Sequence, residues 1–173
     1  MKQLLSIFLC LGLAFSLIGC QQPTISLIGG TSSPTLTQTE SENGILVTTP
    51  YFTVTLPKVW KDNYEIRYSD AENIHSYRFV DPVSEETHGG HIFTIALYQD
   101  ANQADEVCKI NGEKFGVLQA DTTYTVVIER PTDFPAAPQR EEIVRQLQET
   151  QDQVLVSFAP VNGGNFIPTQ KGQ

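Results

Sequence analysis

The sequence predicts an α+β domain: a mainly antiparallel sheet of five to six strands, with a C-terminal amphipathic helix packed on one face. Three observations point there. Several short segments alternate apolar and polar residues with the period of a half-buried strand. Turn-rich stretches join these segments in pairs. One stretch near the C-terminus carries an apolar stripe of helical period.

The segment YFTVTLP (51–57) sets Phe52, Val54 and Leu56 on one face and Thr53 and Thr55 on the other. YEIRY (64–68) turns Tyr64, Ile66 and Tyr68 inward, and HSYRFV (75–80) does the same with His75, Tyr77 and Phe79. The connection SDAENI is rich in turn formers, so these two strands pair as a hairpin. Closing the turn between Ser69 and Ile74 sets Ile66 against Tyr77 and Glu65 against Arg78, which keeps apolar with apolar and charge with charge. HIFTIALY (91–98) follows, then a helical turn over 100–107. KFGVLQ and YTVVIE, joined by ADT, form a second hairpin. RPTDFPAAP breaks the pattern with three prolines. In the final helix, Ile143, Val144, Leu147, Val154, Leu155 and Phe158 form the stripe. Pro138 suits its first turn, and Glu141 and Glu142 complement the positive end of its dipole.

At 173 residues, the chain holds one ordinary domain with appendages, and 40% hydrophobic residues are enough for a core. The organisation reads as a leader (1–19), a flexible tether (20–43), a globular domain (44–160) and a loose tail (161–173). The tether QQPTISLIGGTSSPTLTQTESEN is Ser, Thr, Gln, Pro and Gly, too polar to bury itself. With 20 Asp and Glu against 11 Lys and Arg, the formal charge is -9. No basic cluster offsets it, which excludes nucleic acid as a partner and a polybasic attraction to anionic lipid. Of the three cysteines, Cys10 lies in the leader and Cys20 at its end. Cys108 is left alone in the domain, so no disulfide framework is expected.

The leader explains Cys20. Lys2 supplies a short positive region, and residues 4–18 are a nearly unbroken apolar run, short of the ~20 residues that span a bilayer. The run ends in LIGC, residues 17–20, which resembles the lipobox of bacterial lipoprotein precursors. That resemblance implies cleavage between Gly19 and Cys20 and acylation of the Cys20 thiol. The protein would then be lipid-anchored and extracytoplasmic, on the outer face of the cell membrane or at the outer membrane of a cell with two. The small Gly19 suits a peptidase groove, and the thiol is the strongest nucleophile nearby. Two acyl chains, at about 0.8 kcal/mol per buried methylene, anchor stably where one is reversible.

Within the domain, Leu56, Pro57 and Trp60, then Tyr124, Val126 and 131–133, then Ser157 and Phe158 resemble short motifs of the PsbP-like fold and of small lipoproteins of Firmicutes. The resemblance spans roughly residues 51–158. It implies a non-enzymatic accessory or protein-binding role with an envelope protein as partner; fold alone carries no specific activity.

Searching the domain for chemistry yields one tempting stretch, HGGH (88–91). His88 and His91 are candidate ligand-binding residues, with His75, Glu85 or Glu86 available to complete a metal shell. The competing reading is a Gly-pair turn between two strands, with His91 opening the second. Two imidazoles fall short of the three or four ligands zinc takes, so neither a metal nor a cofactor is expected. Trp60 is a third candidate, either lining a pocket or capping a core edge. Cys108 has no signature base, GEKFG lacks phosphate-loop spacing, and no catalytic constellation is legible. The sequence is therefore read as that of a non-enzyme.

Overall fold

A computed structural model of the protein describes residues 35–133 and 136–169. The expected α+β class is what the chain adopts, with two antiparallel sheets in place of one. In chain order the strands are β1 (Thr37–Ser41), β2 (Gly44–Thr48), β3 (Phe52–Leu56), β4 (Glu65–Ala71), β5 (Ile74–Val80), β6 (His91–Tyr98), β7 (Gly112–Gln119), β8 (Thr123–Glu129), β9 (Ala159–Pro160) and β10 (Asn165–Pro168). The helices are α1 (Pro82–His88), α2 (Ala101–Cys108), α3 (Glu141–Glu149) and α4 (Gln151–Val156). The smaller sheet runs β1-β2-β3-β9 and the larger β10-β7-β8-β6-β5-β4.

The main core lies between the two sheets. Phe52, Val54 and Leu56 from the small sheet meet Ile66, Tyr77, Phe79, Ile95, Leu97, Val126 and Ile128 from the large one. Leu147, Val154 and Leu155 of the C-terminal helices, with Phe158 just beyond them, close it. The opposite face of the large sheet is covered by α2, where Ala96, Tyr98 and Val127 pack on Ala104, with Val107 and Cys108 at the margin. Central strand β6 is consequently buried almost throughout.

Both strand boundaries extend past expectation. Residues 37–41, expected to be tether, form β1 and pair with β2 from Thr37↔Thr48 to Ser41↔Gly44. Residues 165–168, expected to be a loose tail, form β10 and pair with β7. The β4–β5 hairpin is longer than expected: Ile66 faces Phe79 rather than Tyr77, and Glu65 faces Val80 rather than Arg78. Its turn is Glu72–Asn73, with φ of 52° and 67°, the two positive values of a type I′ connection. The slip is two residues, so each side chain keeps its face. The C-terminal helix starts with a 3-10 turn at Pro138–Arg140 and is broken at Thr150 into α3 and α4. The expected stripe survives the break, with Val144, Leu147, Val154 and Leu155 buried.

Candidate functional site

The HGGH loop is built from the α1 end. Asp81 caps that helix by accepting the Ser84 N–H through Oδ2 at 2.9 Å, and Pro82 follows in the first turn. Gly89, at φ 82°, terminates α1 in the left-handed conformation. Gly90, at φ 49°, then passes so close to the helix start that a Cβ there would lie 2.4 Å from Asp81 O. Its own carbonyl accepts from Asp81 N–H at 2.8 Å. The glycine pair is thus a helix stop and a strand entry, where a turn between two strands was expected.

This geometry separates the two histidines in role. His88 sits exposed in the last turn of α1, with Nδ1 2.6 Å from Thr87 Oγ1. His91 opens β6, half-buried, with Nε2 2.9 Å from Thr94 Oγ1. Burial and the nearby Arg78 guanidinium hold the His91 pKa down to about 4, against a backbone hydrogen bond at Phe93 that raises it. The ring is therefore neutral at physiological pH. Glu85 is engaged by Arg67 Nη2 at 2.7 Å, and His75 belongs to a different face of the large sheet. Among the described residues no three His, Cys, Asp or Glu side chains are grouped to hold a metal.

Beneath the loop lies a buried ion pair. The Asp81 side chain is 0% exposed, and Arg140 Nη2 donates to its Oδ1 at 2.6 Å. The same guanidinium donates to Asn63 Oδ1 at 2.9 Å, and Ser84 Oγ accepts the Ala137 N–H at 3.0 Å. Burial alone would raise the Asp81 carboxyl, but hydrogen bonds from Arg140 and Ser84 outweigh it and hold the pKa below the usual carboxylate value. This cluster ties α1 to the start of α3.

Trp60 is a core residue. It is 0% exposed, meets Tyr64, Phe79 and Phe93 edge-on, and donates Nε1–H to Thr150 Oγ1 at 2.9 Å. Of the two readings of Trp60, packing against the core is the one the fold fits: Trp60 closes the 3-10 turn Lys58–Trp60 with its indole inward and its polar edge at the helix break.

A polar cluster that the alternation pattern concealed surrounds His75. Tyr51 stacks on its ring at 4.6 Å between centroids and places Oη 2.9 Å from Nε2. Tyr68 Oη lies 3.2 Å from Nδ1, with Asp70 Oδ1 at 3.4 Å from the same nitrogen. Tyr124 closes the set edge-on. Burial, seconded by Asp70, pushes the Tyr68 phenol up to about 12. The Tyr51 phenol is raised as well, chiefly by burial, and the cluster acts as a hydrogen-bonded aromatic plug at one end of the core. Cys108 ends α2, half-buried, with burial as the main cause of its raised pKa; the protonated thiol is a poor nucleophile.

Shallow grooves are also present among the described residues. One, of about 410 Å³, lies between the β4–β5 turn and the start of α2, lined by Glu72, Asn73, Gln99, Asp100, Ala101 and Gln103. The other, of about 350 Å³, lies between the exit of β8 and the α3–α4 break, lined by Ile92, Arg130, Pro131, Thr132, Asp133, Gln148 and Gln151. Neither was legible in the sequence, because each gathers ordinary polar residues from separate elements. Gly19 and Cys20 lie outside the described residues. Among the described residues no helix is long and apolar enough to cross a membrane. No protein-family model matches the chain, and no curated protein or solved structure is similar to it.

Proposed function

We propose that the protein is a lipid-anchored, extracytoplasmic binding domain, acylated at Cys20 and held at the membrane to engage an envelope protein. The observation that carries this reading is the apolar leader ending in LIGC, with a polar tract directly behind it. The fold supports it by geometry. Sixteen residues lie between Cys20 and the first strand at Thr37. A stretch of that length reaches at most about 55 Å when fully extended. It would hold the domain in a thin shell above the lipid, where effective concentrations are high. The PsbP-like resemblance belongs to the same proposal and favours an accessory role over a catalytic one. Trp60 and the HGGH loop serve the core and the α1 cap, and the binding reading does not rest on them.

The test is metabolic labelling with a clickable palmitate analogue in a bacterial host. The native chain should incorporate label and sediment with membranes, while Cys20→Ser should lose both label and cleavage before residue 20. A labelled Cys20→Ser chain, or an unlabelled native one, sinks the anchor. In-cell crosslinking should then recover an envelope protein above the level of an anchored control domain.

A further inference from the structure

We propose that the turn end of the β4–β5 hairpin holds a hard trivalent cation, Fe(III), between the Tyr68 phenol, the Asp70 carboxylate and the His75 imidazole. This goes beyond the anchoring proposal and stands without it. The register builds the set. Tyr68 and Asp70 alternate with Ser69 on β4 and so share a face, and His75 lies directly across from Asp70 on β5. His75 Nδ1 is 3.2 Å from Tyr68 Oη and 3.4 Å from Asp70 Oδ1, and Asp70 also hydrogen-bonds the Tyr68 phenol. Donors each about 2.1 Å from one metal stand about 3.0–3.4 Å apart, so these three need little movement to share an ion.

Access, support and charge all favour a bound cation. The His75 side chain is 11% exposed and that of Asp70 56%, so the set opens to solvent on its carboxylate side. Tyr51 Oη lies 2.9 Å from the other ring nitrogen, Nε2, and the Tyr51 ring stacks on the imidazole, the kind of contact that orients a metal-bound histidine. Among the described residues no Lys or Arg pairs with Asp70, whose ionic partner is His75 alone, and Asp121 adds negative charge at Tyr51. The donors select the metal. A phenol keeps its proton to about pH 10 in water, so displacing it at neutral pH takes more charge than Ca(II), Mg(II) or Zn(II) brings. On binding, the Oη proton passes to solvent, as does any proton on Nδ1, while Nε2 keeps its own beside Tyr51. Phenolate, carboxylate and the Nδ1 lone pair then hold one face of the ion, water fills the other, and the iron stays ferric.

The full chain in detergent micelles is titrated at neutral pH with Fe(III) nitrilotriacetate and followed by visible absorption and resonance Raman. The native chain should develop a visible phenolate-to-iron band that saturates near one equivalent, with the Raman lines of a coordinated phenolate ring, which thiolate-bound iron lacks. Tyr68→Phe keeps the ring beside Tyr77 and removes only the oxygen, and it should lose both signals. Asp70→Asn and His75→Gln should each weaken Fe(III) about 10–100-fold, whereas Tyr64→Phe, whose hydroxyl bonds Gln38 instead, should not. Asp70 is exposed, so its variant keeps the test decisive even where His75→Gln unfolds. Absence of the band at about 100 µM iron overturns the proposal. So does a band that survives Tyr68→Phe, an unchanged affinity in Asp70→Asn, or displacement of the iron by an equal concentration of Zn(II).

Discussion

At the scale of single residues, the buried Asp81 charge and the half-buried His91 imidazole make this protein acid-sensitive in two separate windows. His91 is neutral in the folded chain down to about pH 4, whereas an unfolded histidine titrates near 6.5. Between those values the unfolded state binds the extra proton, so stability falls as pH drops from about 6.5 to 4 and is flat above. The loss should approach 3 kcal/mol by urea unfolding, and His91→Gln should flatten the curve in that window. Asp81 acts lower. Its folded pKa is depressed, so its contribution is complete above the unfolded carboxylate pKa and is lost as pH falls through the folded one. Asp81→Asn should cost about 3 kcal/mol at neutral pH, since Arg140 would keep its site without its carboxylate. A midpoint unchanged in urea would show that the α1–α3 tie is dispensable. Gly90 belongs to the same locality: an alanine there would drive a methyl into Asp81 O.

At the scale of elements, the strands with strict alternation were legible in the sequence, and the ones without it were not. Residues 52–56 and 64–68 bury one side more than the other, so their pattern shows; in 93–97 the large apolar residues still alternate with Thr94 and Ala96, although both faces are buried. β1 is TQTES, a polar edge strand, and nothing in such a composition distinguishes it from a tether until β2 offers hydrogen bonds. α1 is seven residues with one buried side chain, Ser84, so it has no stripe to read. Its Gly stop reads in the sequence as a turn between two strands. The β4–β5 register missed by two because Glu at the first turn position is unusual for a type I′ connection. That leaves a strained residue and a prediction: Glu72→Asn, better suited to positive φ, should raise stability by about 0.5–1 kcal/mol in thermal melts without moving the strands. A further test concerns the helix break. Trp60→Phe keeps most of the packing but removes the donor to Thr150 Oγ1, and should cost about 1–2 kcal/mol. Loss of less than 0.3 kcal/mol would mean the break at Thr150 is held by its own bonds to Gln146 and Leu147 carbonyls.

At the scale of the whole molecule, the two sheets are joined by the shared core and by the chain's last described segment. β9 adds to the small sheet beside β3, and β10, only a few residues later, adds to the large sheet beside β7. Between them Phe166 lies 4.7 Å from Phe158 and 5.1 Å from Phe115, ring to ring. Phe115 reaches this cluster because a bulge inserts it as an extra residue in β7, between Lys114 and Gly116. Two aromatics from neighbouring strands of the large sheet therefore meet Phe158, just past the C-terminal helix and itself stacked on Phe52 of the small sheet, where residues 161–173 were expected to be loose. The grooves escaped sequence reading for a related reason: Ile92, Asp133 and Gln151 share a wall only once β6, the β8 exit and α4 are assembled. If the C-terminal segment is structural, truncation after residue 164 removes β10, exposes the β7 edge and strips one ring from the cluster. Stability should fall by about 2–3 kcal/mol, a melting temperature lower by roughly 5–10 °C, with added aggregation from the uncovered edge. Phe166→Ala, which keeps the strand but not the ring, should give a smaller loss of about 1–2 kcal/mol without aggregation. Equal melting of all three chains would restore the reading of a loose tail. The graded outcome would instead show that the strand protects the edge while the ring binds the two sheets together.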